Sequence, residues 1–216
     1  MPSNRLLRAD TYALGQPLCK LFNDRIKQGK FPAVWKHANI KPVPKSNHAT
    51  KVKDYRPVAL TSIIAKIFER LLLRLVKPGL NDNYQFAYQS RRSTEDAVAY
   101  LIDIVSAYLD AKAKSYARCL FIDFTSAFNT LDPGILINSL VDAQLNPCVI
   151  NIIYSFLRNR YQLVTTGDRT FSLRSTSIGS PQGCVLSPVL FSIYVQHMPS
   201  PSAKNYHLLK YADDTV

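Results

Sequence analysis

The chain has 216 residues, 47% of them hydrophobic, and its 27 lysines and arginines exceed its 15 aspartates and glutamates to give a net charge of +12. This size allows one large domain or two small lobes, and the positive charge indicates a polyanionic partner, most often nucleic acid. No apolar run reaches the roughly 18 residues of a membrane span, and the N-terminus lacks a signal-peptide core. The sequence therefore argues against a membrane or secreted protein and predicts a soluble one in the cytoplasm, the nucleus or both.

The four cysteines, Cys19, Cys119, Cys148 and Cys184, are far apart and form no C-x-x-C pair. This spacing favours neither a zinc site nor a disulfide framework. We expect reduced thiols, most of them buried.

The first half of the chain is predicted to be largely helical. Apolar residues keep helical spacing from about Tyr12 to Gln28, and the basic, proline-rich residues 36–57 indicate a strand and an exposed loop. Helices are predicted at 58–76, ending before Pro78 and Gly79, and at 91–112, with Ser93 or Thr94 as N-cap. The second of these helices has an apolar face that we expect in the core, formed by Val98, Leu101, Ile102, Val105 and Leu109.

The second half alternates element types. Residues 118–124 and 206–212 read as strands, and residues 133–145, 147–157 and 187–198 read as helices. The stretches 161–167 and 170–177 indicate a hairpin around Gly167 and Asp168. The order β-α-β-β-α-β is compatible with an antiparallel sheet backed by helices, which gives the class α+β.

Three carboxylates stand at the ends of apolar strands. Strand alternation places Asp123 at the end of one apolar row and Asp213 at the end of another, with Asp214 next to it. A single aspartate in such a place is often only a turn former or a helix cap. Two such strand ends in a basic protein favour a divalent cation between the acids, since neighbouring carboxylates repel one another.

Magnesium is the natural candidate, because it prefers a few hard carboxylate oxygens and keeps room for water and substrate phosphates. Two such ions, about 3.5 to 4 Å apart, can stabilise both the attacking and the leaving oxygen of phosphoryl transfer. The carboxylates alone leave both polymerase and nuclease chemistry open.

Five motifs together resemble the reverse transcriptases of non-LTR (LINE-type) retrotransposons. Three are "FIDFTSAFNTLD", "SPQGCVLSPVLFSIYV" and "YADD", in that order. Upstream, "IKPVPK…DYRPVALTSIIAKIFERLL" and "QFAYQSRRSTEDAV" are similar to fingers motifs of the same family. The resemblance runs from about Ala38 to the last residue.

The resemblance implies an RNA-directed DNA polymerase that uses two Mg²⁺ ions, with Mn²⁺ as a substitute. It implies Asp123, Asp213 and Asp214 as catalytic, metal-binding acids and the backbone carbonyl of Phe124 as a further ligand. Tyr211 and Ala212 complete the motif around the acids.

The same resemblance implies a nucleotide site. Phe128 matches the aromatic gate against a ribose 2′-OH, and Gln182, flanked by Pro181 and Gly183, matches the position that meets the incoming nucleotide. The basic residues that match triphosphate-binding positions are Lys45, Arg56 and Arg92. For each of these three, a solvated surface charge is the alternative interpretation, and for Phe128 it is a plain core residue.

The implied fold is the right-hand fold of polymerases. The resemblance divides the chain into an N-terminal helical segment (1–37), helical, basic fingers (38–115) and part of an antiparallel-sheet palm (116–216), with the hairpin around Gly167 as an addition to the palm. It also leads us to expect that the thumb and an endonuclease are absent, and that no returning strand remains to pair with the strand before Asp213. That strand's edge is therefore expected to be exposed.

The implied partners are an RNA template, a DNA primer and dNTP, without a membrane. The alternative is a catalytically inactive, truncated remnant acting as a basic nucleic-acid-binding module. We expect weak or no activity from the isolated chain. A viral RNA-dependent RNA polymerase fits less well, because Phe128 matches a gate that selects deoxynucleotides.

Overall fold

The computed structural model describes residues 11–111, 116–124, 126–198 and 207–216. Helices and strands are numbered separately in chain order. The helices are α1 (Thr11–Gln28), α2 (Ile63–Val76), α3 (Thr94–Ala111), α4 (Ala127–Thr130), α5 (Pro133–Asp142), α6 (Pro147–Leu157) and α7 (Ser187–Val195). The strands are β1 (His37–Pro44), β2 (Tyr55–Leu60), β3 (Ile122–Asp123), β4 (Arg160–Thr166), β5 (Arg169–Thr170), β6 (Arg174–Thr176), β7 (Lys210–Tyr211) and β8 (Asp214–Thr215).

The described strands form two sheets. The larger has the order β2-β1-β4-β5, with β6 also paired to β4, and the smaller has the order β3-β8-β7. β1 runs parallel to β4, whereas the other strand pairs are antiparallel. The predicted α+β class is confirmed, and the larger sheet is mixed rather than purely antiparallel.

Helices α2, α5, α6 and α7 supply most of the main core. Their apolar faces bury side chains that include Phe68, Leu140, Ile153 and Leu190. Helix α1 adds Phe22, whose ring stacks on Phe68 with centroids 5.0 Å apart. Because these side chains come from distant parts of the sequence, one core fixes the helices relative to one another.

The predicted helix at 58–76 begins later than expected. Residues 58–60 belong to β2, which pairs along its length with β1. The helix starts at Ile63, where the Ser62 hydroxyl accepts the backbone N–H of Ala65 at 3.1 Å. The apolar run extends across both elements, so periodicity alone did not mark the boundary.

The predicted hairpin around Gly167 forms, and it belongs to the larger sheet rather than to the smaller sheet that contains Asp123 and Asp214. Its first strand, β4, pairs with β1, which aligns Ile40 with Val164. It therefore shares a sheet with strands from 37–60, in the region predicted as fingers. Strand neighbours separated by about 120 residues are decided by tertiary packing, which periodicity does not report.

The expectation that no returning strand remains after Asp213 was wrong. β8 returns beside β7 and also pairs with β3, so it is the middle strand of the smaller sheet. The other side of β7 is covered as well, because the backbone of Lys210 bonds to Tyr84 O at 2.8 Å and accepts from Phe86 N at 2.9 Å. Two residues are enough to close the hairpin, because flanking segments complete its hydrogen bonding.

Only part of the apolar face predicted for the helix after Ser93 is buried. Val98 and Ile102 are 52% and 59% exposed, and Leu109 is also exposed. Of that face, Leu101 packs with Ala97 and Tyr100 near Phe86 and Leu209, and Val105 is half-buried. Helical spacing shows that residues share a face, but it does not show which face meets a partner.

The two predicted strands that carry the acids are short in the structure. Of residues 118–124, only Ile122 and Asp123 pair, with Thr215 and Asp214, and Phe121 is exposed. The second strand is β7, and the predicted start at Tyr206 lies outside the described residues.

The cysteines are free, as expected, but the expectation that most are buried was wrong. Cys19 and Cys119 are exposed, Cys148 is half-buried and Cys184 is buried. Among the described helices, none is both long enough and apolar enough to cross a membrane.

Candidate active site

Two short strands bring the predicted acids together. Asp123 in β3 lies directly opposite Asp214 in β8, and opposite residues of an antiparallel pair have Cβ atoms about 4.5 to 5.5 Å apart. Asp213 precedes Asp214 in the turn between β7 and β8. Residues ninety positions apart in the sequence therefore meet at one end of the smaller sheet.

The turn that carries the acids is held by a buried glutamine. Ala212 has a positive φ of 57°, a conformation that costs energy for a residue with a side chain. Gln85 Oε1 accepts the N–H of Ala212 at 3.0 Å, and Gln85 Nε2 donates to Ala212 O at 3.4 Å. Gln85 is 0% exposed, so both groups of its amide support this turn out of contact with water.

A buried ion pair anchors the strand that leads into the turn. Lys210 Nζ lies 2.5 Å from Asp82 Oδ2, with both side chains almost fully buried. The same ammonium donates to Val195 O at 3.0 Å. These bonds fix β7 to the segment that contains Gln85 and to the end of α7.

An open cleft of about 900 Å³ lies beside the acids. Both sheets contribute to its lining. Of the residues predicted from the sequence, the lining contains Lys45, Arg56, Asp123, Phe124, Phe128, Gln182 and Asp213. Asp213, in the turn, lines the cleft, whereas Asp214, in β8, is exposed opposite Asp123.

The segment around Gln182 contacts the Phe128 segment through its backbone. Ser180 N donates to Phe128 O at 2.6 Å, and Gly179 N donates to Leu131 O at 2.8 Å. Gly179 has a φ of +72°, and a Cβ there would come within 2.6 Å of Asn129 O. The close approach therefore requires glycine at this position.

Phe128 is half-buried and lies between the core and the cleft. Its ring lies 5.4 Å from the ring of Phe191 in α7, and the residue also lines the cleft. This position is compatible with the predicted gate and with a packing role at the same time.

The predicted basic residues separate into two places. Lys45 and Arg56 are exposed and line the cleft, where Asp54 orders the intervening loop by accepting the N–H groups of Lys51 and Thr50. These two bonds hold the pKa of Asp54 below its ordinary value.

Arg92 lies behind the turn rather than on the cleft. Its Nη1 donates to Asn83 O at 2.6 Å and to Gln85 O at 3.3 Å, and its guanidinium lies over the ring of Phe86. The structure therefore places Arg92 beside the residue that holds Ala212.

The remaining motif residues frame the site. Pro181 is buried and its carbonyl accepts the Ser187 hydroxyl at 2.7 Å, and the Tyr211 hydroxyl accepts from Thr94 Oγ1 at 3.1 Å. Gly183 adopts a φ of +97° against β2.

Burial, followed by the nearby charge of Asp213, raises the pKa of Tyr88.

The acids provide donors suited to a hard divalent cation, although the set is small. Across 11–111, 116–124, 126–198 and 207–216, no three His, Cys, Asp or Glu side chains lie close enough together to hold a metal ion. Asp123 and Asp213 nevertheless share one open cleft, and magnesium commonly takes one or two protein carboxylates and keeps water in its other positions. The carbonyl of Phe124 accepts the N–H of Ala127 at 3.2 Å and retains a second lone pair.

Sequence reasoning missed the supporting residues. Gln85 and Asp82 lie in a stretch of mixed aromatic and polar residues, Glu69 lies among apolar residues of a predicted helix, and Arg160 lies between a predicted helix and a predicted strand. A charged residue within an apolar helical row, as at Glu69, was the available signal. It shows that a polar partner is needed but not which one.

Comparisons with known proteins agree with the motifs. The family model described as "Reverse transcriptase (RNA-dependent DNA polymerase)" matches residues 43–216. The chain is 28% identical to the "RNA-directed DNA polymerase from mobile element jockey" of Drosophila melanogaster, over 99% of this chain and 24% of that protein. It is 29% identical to the "Probable RNA-directed DNA polymerase from transposon BS" of the same organism, over 91% of this chain and 23% of that protein.

A solved structure shows the same fold. Apo telomerase from Candida tropicalis, truncated from the C-terminal domain, aligns with a TM-score of 0.62 and 16% identity, over 94% of this chain and 48% of that chain. The chain thus spans about a quarter of the length of these curated relatives and about half of the telomerase chain.

Proposed function

This chain belongs to the reverse transcriptase (RNA-dependent DNA polymerase) family, whose model covers residues 43–216, and from that premise we propose that it adds deoxynucleotides to a primer 3′-OH on an RNA template. One observation carries the proposal. Asp123 and Asp213 line a single cleft together with Lys45, Arg56 and Gln182. Acids for a metal and bases for phosphate therefore face the same space.

Asp123 and Asp213 are proposed as the principal metal-binding acids, with Asp214 and the carbonyl of Phe124 as further ligands. When bound, two Mg²⁺ ions, or Mn²⁺ in their place, would activate the primer hydroxyl and stabilise the leaving pyrophosphate oxygen. The chain's own part is to hold these oxygens in place. Gln85 does so for the turn by bonding both backbone groups of Ala212.

The cleft-lining bases are proposed to bind the triphosphate of the incoming dNTP. The planar fork of Arg56 suits phosphate oxygens, and Lys45 adds a point charge. Arg92 was predicted for the same role, but its Nη1 donates to the backbone carbonyls of Asn83 and Gln85. We propose that Arg92 acts by supporting the turn.

Phe128 is proposed as the sugar gate and Gln182 as the residue that meets the nucleotide, since both line the cleft beside Asp123. For the fold, we propose a helical segment over 1–37, fingers over 38–115 together with the 160–176 hairpin, and a palm from the rest of 116–216. An RNA template, a DNA primer and dNTP are the proposed partners.

Single-nucleotide primer extension tests the proposal. The purified chain, in excess over a DNA primer annealed to an RNA template, is given Mg²⁺ and one complementary dNTP. We expect weak incorporation that is lost in Asp213→Asn and retained in Asp168→Asn, a matched change at an exposed turn away from the cleft. No incorporation by correctly folded wild type would instead favour the inactive, nucleic-acid-binding alternative.

A further inference from the structure

The Gln182 loop, defined as residues 178–186, lies between β6 and α7 and is bonded at both ends to buried ionisable side chains. At its beginning, Arg160 Nη2 donates to Ile178 O at 2.5 Å and to Gly179 O at 2.9 Å. At its end, Glu69 Oε2 accepts the backbone N–H groups of Val185 at 2.6 Å and Leu186 at 3.2 Å. A cation thus meets carbonyl oxygens and a carboxylate meets amide groups, which makes all four bonds charge-assisted.

Both side chains are removed from water. Glu69 is 0% exposed and Arg160 is 4% exposed. Among the described residues, the salt bridge is formed by Lys210 and Asp82 and includes neither Glu69 nor Arg160. The loop backbone bonds to one oxygen of Glu69, Oε2, and to one nitrogen of Arg160, Nη2. Burial raises the pKa of Glu69 and lowers that of Arg160 to about 10.

Such an arrangement is a poor way to strengthen a core. Well-packed apolar residues in place of buried charges are often neutral or stabilising, because the desolvation of a charge is costly. Charge-assisted bonds from a buried side chain, however, define the geometry of the atoms they contact. The position of Glu69 and Arg160 therefore points to control of the loop.

The middle of the loop is set against β2. Ala59 N donates to Gln182 O at 2.7 Å, and a Cβ at Gly183 would lie 3.3 Å from Ala59 O. With both ends fixed and this backbone bond made, Gln182 lines the cleft together with Asp123 and Asp213.

We propose that Glu69 and Arg160 are positioning residues that fix the two ends of the Gln182 loop and so present Gln182 to the incoming nucleotide. The role of Gln182 rests on the proposed function, whereas the fixing of the loop rests on the contacts alone. Glu69 and Arg160 act through the loop, and the cleft is lined by the loop's own residue.

Paired variants separate this role from general packing. Glu69→Gln keeps an acceptor oxygen for Val185 and Leu186, and Glu69→Leu removes it. Arg160→Lys keeps the charge, and Arg160→Met removes it. Leu140→Ala, at a fully buried leucine of α5, serves as the control for lost core packing.

The first measurement is hydrogen exchange of the loop amides, which does not require catalysis. In Glu69→Leu, we expect the Val185 and Leu186 amides to exchange roughly tenfold faster or more than in Leu140→Ala at matched global stability, because a charge-assisted bond is lost. Glu69→Gln should stay within about twofold of wild type, since the acceptor remains. Arg160→Met should speed the hydrogen exchange of the Gly179 and Ser180 amides, and Arg160→Lys should speed it to an intermediate extent.

The second measurement is the KM for dNTP and the kcat of single-nucleotide extension. We expect Glu69→Leu and Arg160→Met to raise the KM for dNTP about tenfold, with a smaller change in kcat, and Glu69→Gln to restore it. The inference is overturned if loop exchange follows the Leu140→Ala control. It is also overturned if an active enzyme keeps its KM while the loop loosens. Failure of the proposed function is seen separately, as an inactive wild type whose loop exchange still responds to the variants.

Discussion

At the scale of single residues, the environment of a side chain determines what its chemistry can do. Phe128 and Gln182 were both singled out from the sequence, and both line the cleft with Asp123. Arg92 was singled out on the same grounds, yet its guanidinium is bonded to the backbone near Gln85. A motif reports the residue type, whereas the direction of a long side chain depends on the groups around it.

Phe128 gives a prediction about sugar selection. Replacing it by alanine opens the cleft where a ribose 2′-OH would lie, so we expect incorporation of ribonucleotide relative to deoxynucleotide to rise by about tenfold or more. The measurement is kcat/KM for rNTP and dNTP in primer extension. Phe191→Leu removes the ring that packs on Phe128 at 5.4 Å but keeps the Phe128 side chain, and its selectivity should stay near that of wild type. An unchanged ratio in Phe128→Ala would reduce Phe128 to a packing residue.

Glu69 gives a prediction about pH. Burial raises its pKa in the folded state, and the N–H groups of Leu186 and Val185 only partly offset this. The folded state then binds more protons than the unfolded state above the ordinary glutamate pKa of about 4.3. Consequently, the free energy of unfolding of wild type minus that of Glu69→Gln should fall as the pH rises from the ordinary glutamate pKa to the higher pKa of Glu69 in the folded state. Above that pKa the difference should level off.

Urea unfolding between about pH 2.5 and pH 8 measures this difference. Glu95→Gln is a control of opposite sign, because hydrogen bonds lower the pKa of Glu95. The free energy of unfolding of wild type minus that of Glu95→Gln should rise with pH in the range below the ordinary glutamate pKa. A Glu69 difference that rises with pH would show that the loop amides outweigh burial.

At the scale of elements, two very short strands can form a stable turn when buried side chains bond to its backbone. β7 and β8 have two residues each, yet the turn between them is held by Gln85 and by the buried pair of Lys210 and Asp82. The stretch that contains Gln85 thus supports the turn that carries Asp213. This explains how a strained residue such as Ala212 is maintained beside the acids.

Gln85→Leu tests this support. The change leaves the N–H groups of Ala212 and Ala87 without their acceptor, and an unsatisfied buried donor costs about 1 to 3 kcal/mol. We expect the free energy of unfolding to fall by that amount and primer extension to fall more than in Gln89→Leu. The control removes a bond to Asp82 O instead of one to the turn. Equal effects of the two substitutions would contradict a specific role in holding the turn.

At the scale of the whole molecule, the chain has a net charge of +12, and some of its basic side chains lie at the cleft. Lys45, Lys53 and Arg56 line the same opening as the acids. Binding of an RNA–DNA duplex should therefore weaken with salt, because neutralised phosphates release counterions.

The salt dependence can be assigned to the cleft by substitution. If Lys53 meets a phosphate, Lys53→Gln should reduce the slope of log K against log salt by about 0.7 to 0.9. Lys20→Gln, at an exposed site on α1, should leave the slope unchanged. Fluorescence anisotropy with a labelled duplex at several salt concentrations provides the measurement. Equal slopes in the two variants would mean that the cleft mouth is not the binding surface.

The sequence by itself determined the class, most helices and the acids. Helical spacing and capping signals are local, so α1 and α6 appear where the pattern predicts them, and the local motifs single out Asp123, Asp213 and Asp214, which the structure brings close together. These properties depend on residues within a few positions of one another. The N-cap at Ser62 could not be assigned from the sequence, because the apolar residues of β2 run directly into those of the helix.

Only the tertiary structure decided which strands are neighbours, which face of α3 is covered, and what holds the site. The parallel pairing of β1 with β4 and the contact of Glu69 with Val185 join residues more than 100 positions apart. Such contacts depend on the summed packing and hydrogen bonding of the whole chain, which local periodicity does not contain. The acids could therefore be predicted from the sequence, whereas the buried polar residues that position them could not.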